Sequence, residues 1–225
     1  MDKLPIAIRR ETEKDYKEVE SVFREAFWNH YSPACCEHYM VHVMRACPAF
    51  IPELALLAEL DGKIVGSVMS LKSVIKADNG NTYEVLSLGP IAVLPVYQGR
   101  GIGAKLIEET FAIAQGMKHR AVLLCGDPDY YLHHGFVPAE YYDIRTNDDF
   151  YMTALHAHEL FAGALADCAG RYYEDPIYNV DEREVLLFDK SFPQKEVVVG
   201  TPSQLKFQEI SQQVRKRDLK DLAGE

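Results

Sequence analysis

Tyr16, Val19, Phe23, Ala26 and Phe27 recur at the three-and-four spacing of an amphipathic helix. Thr12, with Asp15 three residues on, marks its start, and the apolar segment Pro5 to Arg9 before it reads as a strand. A second helix is expected after Pro33, with Tyr39, Met40, Val43 and Met44 on one face, stopping before Pro48. The pattern then changes to extended runs. Leu54 to Leu60 and Lys63 to Val74 flank Asp61-Gly62, a pair that supplies the positive φ angles of a two-residue hairpin turn. Asp78-Asn79-Gly80-Asn81 returns the chain into Thr82 to Val93, giving three antiparallel strands in a row. Pro95 ends the third, a glycine-rich turn follows at Gly99 to Gly103, and Leu106, Ile107, Thr110, Ile113 and Ala114 form the buried stripe of a helix. Ala121 to Cys125 is the next strand, and strand, helix and strand joined in this way imply a parallel pair.

Beyond Gly126 the periodicity weakens. Asp129 to His134 reads as a one- to two-turn helix, and Phe136 onward and Tyr151 to Leu155 as strands. Leu160 to Ala169 is alanine-rich and suits a helix, and Val185 to Phe188 looks extended. Ser203 to Leu222 reads as a polar helix with Phe207, Ile210 and Val214 on one face and Arg215, Lys216, Arg217 and Lys220 near its end.

Composition narrows the classes. At 225 residues, the chain is one large domain or one domain with a C-terminal elaboration. With 48% hydrophobic and 26% charged residues it has the makeup of a globular protein with ample core. A formal charge of -10 disfavours non-specific binding to nucleic acid or an anionic membrane. Five cysteines without a Cys-x-x-Cys pair indicate neither a disulfide framework nor a zinc ribbon, and a reducing cytosol fits best. The N-terminal segment is too charged for a signal peptide and no apolar run approaches ~18 residues, so a cytoplasmic protein without a membrane span is expected.

The informative stretch is Ile91 to Ala104. A glycine-rich turn opening a helix leaves backbone N–H groups unpaired, and with the helix dipole they suit an anion such as a pyrophosphate. A phosphate-loop NTPase would need Gly-x-x-x-x-Gly-Lys-Ser/Thr, which no window supplies. Gly99, Gly101 and Ala104 do satisfy the Gly-x-Gly-x-x-Gly/Ala string of an NAD(P)-dependent oxidoreductase, with Asp127 after the next strand as a ribose ligand. Against that reading, Pro95 to Gln98 separate the strand from the glycines, and hairpin-linked strands precede the turn.

The string Gln98-x-x-Gly101-x-Gly103, with the Ile91-Ala92-Val93 strand before it, closely resembles the coenzyme A signature of the GNAT superfamily of N-acetyltransferases. Asp127-Pro128-Asp129-Tyr130-Tyr131-Leu132-His133-His134-Gly135-Phe136 resembles the tyrosine-bearing short helix and Gly-Phe strand start of that superfamily, in matching order and spacing. The resemblance covers about residues 5 to 155 and is nearest to a branch with Leu-Gly-Pro before the signature and Gly-Asp-Pro after the fifth strand.

The resemblance implies a three-layer α/β/α fold whose central, mostly antiparallel sheet is splayed at strands 4 and 5. It places the acetyltransferase domain at residues 1–156 and a C-terminal extension at 157–225. It further implies acetyl-CoA as cosubstrate, its pantetheine arm pairing along Ile91, Ala92 and Val93 and its pyrophosphate on the amides of Gln98, Gly99, Arg100, Gly101, Ile102, Gly103 and Ala104. Gly89-Pro90 suits a strand that opens, because proline removes a ladder donor and glycine tolerates a bulge. Tyr131, four residues before Gly135, matches the general acid that protonates the leaving thiolate. Where relatives carry a basic carboxylate stands Ser87. Glu84 is the nearest acid on that strand, so a water-relayed base or an amine that arrives neutral is expected.

The acceptor implied is a primary amine of a small molecule or peptide, and a homo-oligomer stays open. A coenzyme A-binding regulatory module with little catalysis is the rival from another class, and the oxidoreductase a weaker one. Cys35-Cys36 with His38 and His42, and His156-x-His158, lack a complete ligand set, so no metal is expected. His133 and His134 read as lining the short helix, Cys125 as a buried inert thiol, and the basic run at 215 to 220 as a solvated helix end.

Overall fold

The computed structural model describes residues 5–218. In chain order its elements are β1 (Ala7–Arg10), α1 (Tyr16–Phe27), α2 (Glu37–Met44), β2 (Leu56–Leu60), β3 (Lys63–Ala77), β4 (Thr82–Val93), α3 (Ile102–Gly116), β5 (Ala121–Cys125) and α4 (Pro128–Tyr131). They continue as β6 (Val137–Pro138), β7 (Ile144–Arg145), β8 (Phe150–Met152), β9 (Leu155–Glu159), β10 (Gly170–Tyr173), α5 (Glu182–Asp189), α6 (Pro202–Gln212) and β11 (Val214–Lys216). This is a mixed α/β fold with a mixed sheet, antiparallel in its pairings except for β4 with β5 and β7 with β10. The chain forms two compact units of interleaved segments: Met1–Leu71, Gly89–Ile113 and Pro176–Leu205 in the first, Lys72–Leu88, Ala114–Asp175 and Lys206–Glu225 in the second.

In the first unit β1 pairs antiparallel with β2, and β2 with β3. The hairpin turns at Asp61 and Gly62, whose φ values of 52° and 76° are those the Asp-Gly pair was expected to supply. The amphipathic pattern of α1 buries Val19 and Phe23 against Val41 and Met44 of α2 and against Leu57, Met69 and Ala92 of the strands. At its start the Asp15 carboxylate accepts from both the backbone N–H and the hydroxyl of Thr12, so here the acid reaches back to the threonine. Within α2 the buried face carries His38, Met40, Val41 and Met44, whereas Tyr39 and Val43 are half-buried. Val185 to Phe188, expected as extended, lies inside α5: Asp181 caps that helix by accepting from the Arg183 N–H at 2.7 Å, a local device that outweighs β-leaning composition.

The second unit pairs the first half of β4 parallel with β5 at Leu86↔Val122 and Ser87↔Leu123, β5 antiparallel with β9, and β10 antiparallel with β3. Ile75, Val85, Ala121, Leu123, Leu155 and Ala157 form its core. Leu160 to Ala169 forms turns and not a helix. Three of its backbone groups are held from outside the segment or across its own turns: the Leu165 N–H donates to the Glu159 carboxylate, the Ala164 carbonyl accepts from Arg120, and the Ala164 N–H donates to the Phe161 carbonyl. The helix expected from Ser203 to Leu222 stops at Gln212, because Val214 to Lys216 pairs with β8 as β11. Its basic residues are engaged: Arg215 meets Glu140, and Arg217 meets Asp78 and Asp143. Lys220 and Leu222 lie outside the described residues. No described helix is long and apolar enough to cross a membrane.

Candidate active site

The glycine-rich turn belongs to the first unit. Pro95 to Tyr97 forms a single tight helical turn after β4, the Leu94 N–H donates to the Val65 carbonyl, and the Tyr97 N–H donates to the Leu94 carbonyl. Gln98 is exposed and folds its side chain back along the turn, its amide donating to the Val93 carbonyl at 3.0 Å. That contact makes Gln98 a brace between the strand and the turn, and it leaves one lone pair of the Val93 oxygen for another donor. Gly99 and Gly101 adopt φ of 71° and 78°, a left-handed region that costs a side chain-bearing residue about 1 kcal/mol or more. The first helical bond of α3 runs from the Lys105 N–H to the Gly101 carbonyl at 3.1 Å, so the amides of Ile102, Gly103 and Ala104 have no intrahelical acceptor. No acidic residue stands in the first turn of α3, so the partial positive charge at that end is not neutralised from within the helix. Arg100 is exposed, its guanidinium 5.6 Å from the ring centre of Tyr97. Ile91 and Val93 are half-buried, whereas Ala92 faces the core. Beside them the Tyr178 hydroxyl donates to the Gly89 carbonyl at 3.0 Å.

Tyr131 belongs to the second unit and is built by its own neighbours. Asp127 caps α4 by accepting from the Asp129 N–H at 3.0 Å, and Pro128 fits the first helical position. An edge of the Tyr131 ring occupies the space beside Gly126: a Cβ there would stand 2.1 Å from its Cε2 atom, so only glycine admits the ring in this position. Phe136 meets it edge-on at 5.7 Å and His156 at 6.1 Å between ring centres. Tyr131 is buried, whereas Tyr130 is 40% exposed and its ring meets His134 at a tilt, 4.5 Å between ring centres. Asp127 and Asp129 are both held by Lys206 of α6, at 2.6 and 2.8 Å.

Several expectations about neighbouring groups change. Ser87 is buried and its hydroxyl is engaged by the hydroxyl of Tyr172, a residue 85 positions away on β10 that no local pattern marks. Glu84 is half-exposed and lies 3.4 Å from Lys72. Cys125, expected to be buried, is exposed as a residue at the end of β5. Desolvation by the atoms around it, with the charge of Glu174, still pushes its thiol upward. His133 is exposed on the short helical turn after α4. Among the described residues no cluster of three or more His, Cys, Asp or Glu side chains has the geometry to hold a metal ion.

Residues 7–139 match the family described as the acetyltransferase (GNAT) domain, and the chain belongs to that family. It is therefore an N-acetyltransferase of the acyl-CoA-dependent class. Among relatives, it is 36% identical over 87 residues to the uncharacterized N-acetyltransferase YjhQ of Escherichia coli, a match that spans 39% of this chain and 48% of YjhQ. It is 25% identical over 169 residues to the uncharacterized N-acetyltransferase YhbS of the same organism, spanning 74% of this chain and 96% of YhbS. The crystal structure of YhbS in complex with CoA superposes with a TM-score of 0.70 over 80% of this chain and 95% of that one, at 24% identity. A GNAT family acetyltransferase from Brucella melitensis in complex with acetyl-CoA gives a TM-score of 0.62 over 77% of this chain and 97% of that one, at 28% identity.

Proposed function

We propose that this protein transfers an acetyl group from acetyl-CoA to a primary amine of a small molecule or peptide, in a cytoplasmic setting. The observation that carries this reading is the start of α3: a turn with two left-handed glycines, three amides without helical acceptors and no competing carboxylate. In this reading the pyrophosphate rests on the amides from Gln98 to Ala104 with Arg100 at the rim, and the pantetheine arm follows Ile91, Ala92 and Val93. Relatives whose structures hold CoA or acetyl-CoA support the donor. Tyr131 acts as the acid. A coenzyme A thiolate is a good leaving group, so even a weak acid such as a phenol can serve to protonate it. The acceptor's own amine must be unprotonated to attack, which favours amines of low pKa such as α-amino or aromatic amines over a lysine-like group near ~10.

The test is titration calorimetry with acetyl-CoA. Gly103→Val is expected to weaken binding at least ~10-fold, because a branched side chain obstructs approach to the helix end, while circular dichroism shows a folded chain. Equal affinity in the two proteins removes the pyrophosphate from this turn. Stabilisation by NADH and not by acetyl-CoA in a thermal-shift comparison replaces the acyl donor altogether.

A further inference from the structure

His156 is absorbed by none of the roles above, although it is fully buried in the second unit. Its Nδ1 lies 2.7 Å from the backbone carbonyl of Ala154. A carbonyl only accepts, so Nδ1 carries the proton and the tautomer is fixed. Nε2 is then a bare lone pair, and among the described residues it has no hydrogen-bond partner. A buried acceptor left in that state carries its desolvation cost uncompensated, so its persistence calls for a donor brought by water or by substrate. The Tyr131 ring lies beside it, tilted, at 6.1 Å between ring centres.

We propose that His156 is the proton relay of the acetyl transfer, taking the proton of the attacking amine on Nε2 through one intervening water and delivering it to Tyr131. The inference rests on the acetyltransferase reading and on Tyr131 as its acid. The bookkeeping closes within the two substrates. The amine nitrogen bonds to the acetyl carbon, the carbon–sulfur bond breaks, and the Tyr131 phenol gives its proton to the departing sulfur. The proton shed by the new amide nitrogen passes to His156 Nε2 and from there to the Tyr131 phenolate, which returns both groups to their starting states. The last transfer runs downhill, since an imidazolium is a far stronger acid than a phenol. The earlier one is served by an imidazole that is already neutral.

The surroundings keep that imidazole neutral. Desolvation lowers its pKa below the usual histidine value, partly opposed by the hydrogen bond to Ala154 and by the charge of Asp127. Asp127 is itself held by Lys206. The strand partners of His156, Leu124 on β5 and Pro138 on β6, carry no charge, and Tyr131 faces it from α4. The relay thus depends on the half of the histidine pair that is buried. His158, two residues on, places its Nδ1 2.7 Å from the Gly135 carbonyl and belongs to the turn after α4.

The experiment compares wild type, His156→Gln and Tyr131→Phe for thiol release from acetyl-CoA with a dipeptide α-amine and with an aromatic amine between pH 5 and 9. Wild-type kcat/KM should rise through an acid limb below pH 6.5 and then level. In His156→Gln that limb should give way to a rise that follows the amine's own pKa, with kcat/KM at pH 7 about 10²-fold lower and acetyl-CoA affinity kept. A variant with the wild-type profile and a rate within about twofold overturns the relay. A second arm needs no acceptor: nitrogen NMR of the imidazole in the full chain should show protonated Nδ1 and bare Nε2 at pH 7, and the opposite tautomer overturns the relay even if His156→Gln proves inactive. Absence of amine-dependent thiol release in wild type sinks the acetyltransferase reading and the relay with it. Release that depends on Tyr131 but not on His156 sinks the relay alone.

Discussion

Adjacent tyrosines with opposite surroundings give the sharpest comparison among single residues. Tyr131 is buried against Gly126 and Phe136, whereas Tyr130 stands 40% exposed beside His134, where burial of part of its ring raises its pKa. A general acid acts mainly in the transition state, so Tyr131→Phe should lower turnover by roughly 10²-fold or more and leave acetyl-CoA affinity nearly unchanged. Tyr130→Phe should lower it no more than ~3-fold. Steady-state kinetics on the two variants, with calorimetry for the cofactor, checks this, and equal behaviour of the pair removes Tyr131 from the acid role. That tyrosine was legible in the sequence through its place four residues before Gly135. What confines its ring was not, since only folding shows that the glycine at 126 is there to admit it.

Between elements, the second unit is tied by charge as well as by its core. The Arg145 guanidinium on β7 is 2% exposed and reaches Asp78 in the β3–β4 turn at 2.8 Å, Asp143 at 2.7 Å and Asp149 at 2.8 Å. Arg217, after β11, binds Asp78 and Asp143 again. Deleting the central cation leaves Asp78 and Asp143 to share Arg217 and removes the partner of Asp149. Arg145→Met should therefore destabilise the protein by about 2–4 kcal/mol, the upper end being moderated because the three acids are partly solvated. Urea denaturation at pH 7 measures this, and a loss below ~1 kcal/mol would show that water already screens the cluster. No helical or strand period in the sequence links positions 78 and 217 to the cluster at 143, 145 and 149. The basic run that looked like a solvated helix end is part of this tie.

Across the whole molecule, buried histidines couple stability to pH. His38 on α2 is fully buried; its Nδ1 lies 3.4 Å from the Cys35 sulfur and its Nε2 3.2 Å from the Asp189 carboxylate, out of line for a hydrogen bond. Desolvation, only partly offset by Asp189, lowers its pKa to about 4. Burial also lowers His30, His119 and His156. A histidine that is neutral when folded and protonates near ~6.5 when unfolded stabilises the native state fully above that pH. The contribution is lost as pH falls from ~6.5 toward the folded value. Glu11, Glu37 and Glu174, whose pKa values burial raises, act in the opposite sense, so the clean measurement is a difference between proteins. Between pH 7 and 5, wild type should lose about 1–2 kcal/mol more than His38→Gln. Parallel curves for the two would place the proton uptake elsewhere.

Local order carries the elements near the turn. The Asp-Gly hairpin, the strand Thr82–Val93, the stripe of α3 and the strand Ala121–Cys125 each follow from side chains a few positions apart, because backbone sterics and periodic burial act over that range. The glycines of the signature turn were legible for the same reason: a left-handed φ is a property of one residue. Tertiary structure alone decided what lies far apart in the chain: Tyr172 on Ser87, Asp189 beside His38, Lys206 on Asp127, and the bare Nε2 of His156 near Tyr131. Likewise Val214 to Lys216 left the expected helix for a strand pairing. Contacts of this kind depend on which surfaces the fold brings together and which water it excludes, and a linear pattern of side chains holds neither.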